Sequence, residues 1–199
     1  MSTNPFTFLR KYITLFFKFI RLQYETVYPI FTDRLVIRPI TEHEAAFILD
    51  LLNDPGFLQY IGDKQVRNLE QAREYIRTGP MQSLLDNGFA LHLVSVKRAD
   101  GSEGDPIGVC GLLQRDFLPA PDLGFAFLER YTGQGYGYEA AIKVLEYELK
   151  SLSLNKVLAF CSLDNSASRN LLQRLGFCFK HHQSYLDGEE VAMFEFYVI

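Results

Sequence analysis

Three alternating glycines mark the segment of this chain that is best suited to bind a ligand. Gly133, Gly135 and Gly137 lie within the segment Arg130–Ala141, after a strand-like apolar run and before an amphipathic helix. Glycine lets the backbone turn sharply and approach a ligand closely, and the free N–H groups of a first helical turn point toward any anion placed there. The pattern therefore predicts an anion-binding loop, with a phosphate group as the expected ligand.

The spacing of these glycines excludes two common phosphate-binding loops. A dinucleotide-binding G-x-G-x-x-G motif would need a third glycine where the chain has Tyr138. A Walker loop would need Lys followed by Ser or Thr after its second glycine, and neither is present. A shorter glycine loop remains, and a second motif, Asn165–Phe177, follows it further along the chain.

In this order, the two segments resemble motifs of the GCN5-related N-acetyltransferase (GNAT) family, and within it the RimJ/RimL-like branch of ribosomal-protein N-terminal acetyltransferases. The resemblance extends from about Thr32 to Ile199 and includes Thr32–Pro39 and Ile107–Gly111. It implies an acyltransferase that uses acetyl-CoA as co-substrate and acetylates a primary amine by direct attack in a ternary complex. The implied acceptor is a protein N-terminal α-amine or a small-molecule amine.

The resemblance also implies which residues bind the cofactor. Main-chain groups of Phe125 and Phe127 would pair with the pantetheine arm in a gap between two splayed strands, and the Phe127 N–H would stabilise the oxyanion. Asn165 would bind the cofactor arm or order a water, and it also suits a helix N-cap. The pyrophosphate would be held by backbone amides of the glycine loop, namely Thr132, Gly133, Gln134, Gly135, Tyr136 and Gly137.

The catalytic residues depart from the family pattern. Leu172 stands where many members have a Tyr general acid, so Ser168 is the predicted hydrogen-bond donor to the leaving thiolate, with a buried structural serine as the alternative. Ser184 stands where related enzymes often have a Glu general base. The remaining candidates for the base, each of which also suits a structural or solvent-exposed role, are Glu129, Asp187 and His92.

These departures leave a second function open, that of a non-catalytic acetyl-CoA-binding or interaction module. If the protein is an enzyme, its weak base favours an acceptor amine of low pKa. An N-terminal α-amine, with a pKa of about 7.7 to 8.0, is roughly a tenth neutral at pH 7, whereas a Lys amine with a pKa near 10.4 is neutral in well under about one part in a thousand.

Composition narrows the class of protein. A hydrophobic content of 48%, a charged content of 22% and a net charge of −4 are typical of a globular protein and argue against nucleic-acid binding. Cys110, Cys161 and Cys178 lack C-x-x-C spacing, which predicts reduced core thiols in a cytoplasmic protein. His43-Glu44 begins like a zinc-binding H-E-x-x-H motif, but Phe47 replaces its second His, so no metal is predicted.

The chain is expected to have two parts, an aromatic, basic N-terminal extension (1–31) and an acetyl-CoA-dependent N-acetyltransferase domain (32–199). Lys18 interrupts the apolar run of the extension, which is far shorter than the ~20 residues that a membrane span requires. The extension could instead pack on the domain, contact a partner subunit or lie on a membrane surface. The sequence does not choose between a monomer and a homodimer.

Apolar patterns predict a mixed α/β sheet of six or seven strands with helices on both faces, as the GNAT resemblance also implies. The predicted strands are Leu35–Ile37, Phe89–Lys97, Ile107–Gln114, Asp122–Leu128, Val157–Ser162, Phe177–Ser184 and Val191–Val198. The predicted helices run from Thr41 to about Leu52 and over Leu69–Leu85, Tyr138–Leu152 and Ser166–Leu175. Thr41–Glu44 resembles a capping box at the start of the first helix, and Asn53–Gly56 is expected to end it.

Overall fold

A computed structural model describes residues 28–185 and 188–198, with a single eight-stranded sheet at its centre. Its order is β1-β2-β3-β4-β5-β6-β8-β7, and only β5 and β6 are parallel neighbours. The strands are β1 (Ile30–Phe31), β2 (Leu35–Pro39), β3 (Leu91–Lys97), β4 (Glu103–Leu113), β5 (Asp122–Phe127), β6 (Lys156–Ser162), β7 (Cys178–Ser184) and β8 (Glu190–Tyr197).

The mixed α/β fold class is confirmed, but the predicted number of strands is too low. Strand β1 has two residues, with Ile30 opposite Ile37 and Phe31 opposite Val36 of β2. A strand this short has no apolar alternation by which a sequence pattern can be recognised. The predicted extension otherwise falls on residues 1–27, which lie outside the described residues, and its role stays a prediction.

The helices are α1 (Ala45–Leu52), α2 (Pro55–Tyr60), α3 (Leu69–Ile76), α4 (Gln82–Asn87), α5 (Tyr136–Leu152) and α6 (Ser166–Arg174). The predicted start at Thr41 is confirmed, since Thr41 and Glu44 form a capping box around a short 3-10 turn that leads into α1. Helix α2 was not predicted. Its Asp54 N-cap and Pro55 were interpreted as the end of α1, although Pro also favours the first turn of a new helix.

The predicted helix Leu69–Leu85 is a continuous but irregular helical segment. A π-helical turn, Arg77–Met81, joins α3 to α4. Pro80 lies inside this turn and has no N–H to donate, so a regular α-helical hydrogen-bond ladder cannot continue through it.

Helices cover both faces of the sheet, as predicted. Adjacent residues of β3 show this, because Val94 packs in one core cluster and Leu93 in the other. The first cluster includes Val144 of α5 and Leu172 of α6, and the second includes Ile48 of α1 together with residues of α3. Within the described ranges, no helix is long and apolar enough to cross a membrane.

The sheet is open between β5 and β6. Their parallel pairing is confined to Asp122 opposite Leu158. By contrast, β5 pairs with β4 along its whole length, from Asp122 opposite Leu113 to Phe127 opposite Gly108. The two parallel strands therefore separate toward their C-terminal ends and leave a gap there.

The three cysteines are free but differ in burial. Burial raises the pKa of the Cys110 thiol, and it raises the pKa of the half-buried Cys161 thiol to about 11. Cys178 is exposed, so the prediction of a core thiol is wrong at that position. It lies on β7, the last strand of the sheet, whose side chains are mostly exposed.

Candidate active site

The glycine loop leads directly into the N-terminus of α5. Gly133 and Gly135 have φ of 71° and 83°, a left-handed conformation that side chains disfavour. Gly135 is the N-cap of α5, and no side chain caps this helix end. A Cβ at Gly137 would lie 3.0 Å from Leu171 Cδ1 and 3.5 Å from Phe127 Cε2. The loop thus combines an uncapped helix N-terminus with close packing against β5 and α6.

The loop is held by a polar contact that the sequence analysis missed. Arg34 Nε lies 2.7 Å from Glu139 Oε2, its Nη1 donates to the Gln134 carbonyl at 3.0 Å, and its guanidinium lies 4.4 Å from the centre of the Tyr136 ring. Although partial burial would raise the pKa of Glu139, hydrogen bonds from Thr32 and Arg34 lower it below its ordinary value. The segment Thr32–Pro39, part of the family resemblance, contains Arg34, but the partner of Arg34 is 105 residues away in the sequence.

Two backbone N–H groups of β5, those of Phe125 and Phe127, point toward the gap. The Leu128 N–H donates to the Ile107 carbonyl of β4 at 3.0 Å. Because successive N–H groups of a strand point in opposite directions, those of Phe125 and Phe127 point away from β4 and toward β6. An extended ligand in the gap would meet these groups, and their roles with the cofactor stay predictions.

Asn165 and Ser168 lie where α6 begins, just after β6. Asn165 Oδ1 accepts a hydrogen bond from the Ser168 N–H at 2.9 Å, so Asn165 is the N-cap of α6. Asn165 Nδ2 and Ser168 Oγ form no hydrogen bond with the described residues, and both side chains are half-buried. Each retains a polar group for a ligand. Leu172, by contrast, is only 1% exposed and belongs to the core.

The candidates for the general base lie at different places in the fold. Glu129 is exposed on a 3-10 turn directly after β5, and its backbone N–H donates to Asp54 Oδ2 at 3.1 Å. His92 is fully buried on β3, two strands away from β5, with its Nε2 3.1 Å from Glu148 Oε1. His92 is therefore not brought to the gap. Asp187 lies outside the described residues.

A buried carboxylate at the closed end of the gap was not singled out from the sequence. Asp122 is 2% exposed, and Arg115 Nε donates to its two oxygens at 2.9 and 3.0 Å. Burial raises the pKa of Asp122, and the charge of Arg115 opposes that rise. The signal in the sequence was a charged residue at the start of an otherwise apolar strand.

The H-E-x-x-F segment, His43–Phe47, spans the start of α1, and its Glu44 stabilises that helix end. Glu44 accepts hydrogen bonds from the Thr41 backbone and side chain and lies 3.0 Å from Arg38 Nη2. In the part of the chain that the structure describes, no three His, Cys, Asp or Glu side chains come together as a metal site.

Comparison with known proteins identifies the family of this chain. A family model described as "Acetyltransferase (GNAT) domain" matches residues 34–178. The uncharacterized N-acetyltransferase YoaA of Bacillus subtilis is 28% identical over 147 residues, which cover 73% of this chain and 80% of that protein.

Two solved structures share the fold. An acetyltransferase from Agrobacterium tumefaciens has a TM-score of 0.72 and 19% identity, with 86% of this chain and 95% of that chain covered. RimL, a ribosomal L7/L12 α-N-protein acetyltransferase solved in complex with coenzyme A, has a TM-score of 0.71 and 18% identity, with 84% of this chain and 96% of that chain covered. The match of the family model to residues 34–178 shows that the chain belongs to the GNAT family of acyl-CoA-dependent N-acetyltransferases.

Proposed function

We propose that this protein transfers the acetyl group of acetyl-CoA directly to a primary amine in a ternary complex, and that it belongs to the RimJ/RimL-like branch of its family. The observation that carries the proposal is the gap between β5 and β6, which pair only at Asp122 and Leu158. The gap opens toward the end of β5, and the exposed glycine loop with its uncapped helix N-terminus follows directly. The gap therefore suits an extended thioester arm, and the glycine loop suits a phosphate group.

In this proposal the backbone binds the cofactor. Main-chain groups of Phe125 and Phe127 pair with the pantetheine arm, and the Phe127 N–H is the donor to the oxyanion that forms at the thioester carbonyl. Arg34 positions the loop through Glu139 and the Gln134 carbonyl. The diphosphate is bound by amides of Gln134, Gly135, Tyr136 and Gly137, with those of Thr132 and Gly133 nearby.

Three side chains are assigned to the reacting groups. Ser168 Oγ donates a hydrogen bond to the leaving thiolate, and the free Asn165 amide group binds the cofactor arm or a water. Glu129, exposed next to the end of β5, is the proposed base and acts through solvent. Because such a base is weak, the proposed acceptor is an amine of low pKa, such as an α-amine. The name of RimL, an α-N-protein acetyltransferase, supports this class of acceptor.

Two measurements test the proposal. Calorimetry should detect binding of coenzyme A, and acetyl-CoA should release free thiol when the protein is given amines from a panel of peptides, amino acids and polyamines. Binding without thiol release from any amine would support the non-catalytic alternative. Equal kcat/KM at pH 7 for peptide N-termini and Lys side chains would contradict the preference for a low-pKa amine.

A further inference from the structure

On the sheet face opposite α5, the closed end of the gap presents a cation whose hydrogen-bonding capacity is only partly used. Arg115 Nε donates to both oxygens of Asp122. Its Nη1 and Nη2 form no hydrogen bond with the described residues, and 29% of the side chain is exposed. A guanidinium has five N–H donors, so four of them are available to a ligand.

This guanidinium lies at the start of the gap, between Asp122 of β5 and Phe160 of β6. Its Cζ is 5.0 Å from the centre of the Phe160 ring on β6. Since Asp122 is opposite Leu158, counting two residues along both strands places Phe160 level with Gly124, adjacent to Phe125. Phe127, the proposed oxyanion donor, is three residues beyond Gly124, or ~10 Å further along β5 at ~3.3 Å per residue.

Aromatic rings line the same surface. Phe160 contacts Tyr185 of the last hairpin with ring centres 5.1 Å apart, and Phe117 lies 6.1 Å from Phe160 and 5.5 Å from Tyr185. Phe117 is 49% exposed, and Phe160 and Tyr185 are partly exposed. The three rings form an apolar floor beside the guanidinium.

Lys64 is a second cation, and its charge interacts with that of Arg115. Lys64 is exposed in the loop before α3 and has no ion pair with the described residues. The protein around it reduces its solvation and so lowers its pKa, and the charge of Arg115 lowers it further. Burial raises the pKa of Tyr75 on α3, and the charge of Arg115 opposes this effect. Asp122 neutralises the charge of Arg115, whereas Lys64 has no ion-pair partner among the described residues.

We propose that this surface is the acceptor site and that Arg115, with Lys64, binds a carboxylate that the acceptor carries a few bonds from its amine. The inference rests on the proposed acetyl transfer and adds the chemical class of the acceptor. Asp122 holds the guanidinium through Nε, which leaves the Nη1 and Nη2 edge to form a bidentate pair with a carboxylate. The rest of the acceptor packs on Phe160 and Tyr185.

The test compares acceptors that differ only in a carboxylate. Glutamic acid α-amide is paired with glutamine amide, and Ser-Glu-amide is paired with Ser-Gln-amide, because the two members of each pair have similar α-amine pKa values. The full chain is assayed for thiol release from acetyl-CoA, and kcat/KM is measured for each acceptor. The carboxylate member should be preferred by about 10- to 100-fold, the effect expected of charge-assisted hydrogen bonds. A preference seen only between the two amino-acid amides identifies a single amino acid as the acceptor. A preference seen only between the two dipeptide amides identifies a peptide.

Variants then assign the preference to the two cations. Lys64→Gln should reduce it through KM, whereas Lys150→Gln, which removes an exposed charge on α5, should leave it unchanged. Arg115→Gln leaves the buried Asp122 without its partner, so the double variant R115Q/D122N is made as well and its thermal unfolding is measured. The carboxylate preference should fall below about threefold in a folded variant that lacks Arg115.

Two results would overturn the inference while leaving the proposed function intact. They are equal use of the carboxylate and amide acceptors by the unmodified protein, and an undiminished preference in folded R115Q/D122N. If no amine releases thiol, the proposed function fails and this inference fails with it.

Discussion

Replacing Gly135 by alanine tests the phosphate-binding loop directly. Gly135 has φ of +83°, and a Cβ there would lie 3.4 Å from Arg34 Nη2. Alanine in this left-handed conformation costs about 1–2 kcal/mol. The chain can relieve that strain only by rotating the backbone at the N-cap of α5, which turns the first-turn N–H groups away from the diphosphate. Each charge-assisted hydrogen bond that is lost weakens binding by about 1.5–3 kcal/mol, or roughly 10- to 100-fold.

Gly101 offers a matched control. Its φ is +82°, no atom lies within 4 Å of its added Cβ, and it belongs to the turn between β3 and β4. Gly101→Ala should therefore carry the same backbone strain without touching the loop. Urea unfolding should show similar losses of stability for the two variants.

Calorimetry with coenzyme A separates the two variants. The Kd should rise by at least about tenfold for Gly135→Ala and should be unchanged for Gly101→Ala. Unchanged affinity in folded Gly135→Ala would refute the assignment of the diphosphate to this loop. Equal weakening by both variants would show that the effect follows global stability.

Three further predictions concern packing, charge and catalysis. A Cβ at Gly111 would lie 1.9 Å from the Ala90 carbonyl oxygen, so Gly111→Ala should lower the unfolding free energy by about 3 kcal/mol in urea, and an unchanged midpoint would contradict this contact. Because the pKa of Glu139 is lowered despite its partial burial, its ion pair should stabilise the fold by under about 1 kcal/mol above pH ~4.3, and this contribution should be lost as the pH falls through the folded-state pKa. The difference in stability between the unmodified protein and Glu139→Gln should thus be constant from pH 6 to 8 and shrink in acid, and a difference that grew on acidification would be inconsistent with it. Ser168→Ala should lower kcat by at least about tenfold without changing thermal stability, whereas the exposed Ser166→Ala should not, and an unchanged kcat in Ser168→Ala would remove the hydroxyl from the mechanism.

Local patterns in the sequence were sufficient for most of the elements. Apolar alternation predicted Asp122–Leu128 as a strand, and the structure has it at Asp122–Phe127. The capping box at Thr41 and Glu44 was predicted because its residues are neighbours in the chain. The errors lie where local signals are short or ambiguous, as in the two-residue strand β1 and in Pro55, which suits both the end of one helix and the start of the next.

The candidate site likewise combines features that local sequence predicts with contacts that only the fold creates. The sequence by itself determined the glycine loop and the strand that leads into it, because backbone geometry at glycine and strand alternation depend on adjacent residues. Only the tertiary structure decided that Arg34 holds this loop through Glu139, that His92 is buried two strands from β5, and that Arg115 meets Phe160 across the gap. These contacts join segments that are distant in the sequence, and they depend on the order of strands in the sheet and on which face each side chain occupies. That order is set by the packing of the whole core rather than by any local pattern.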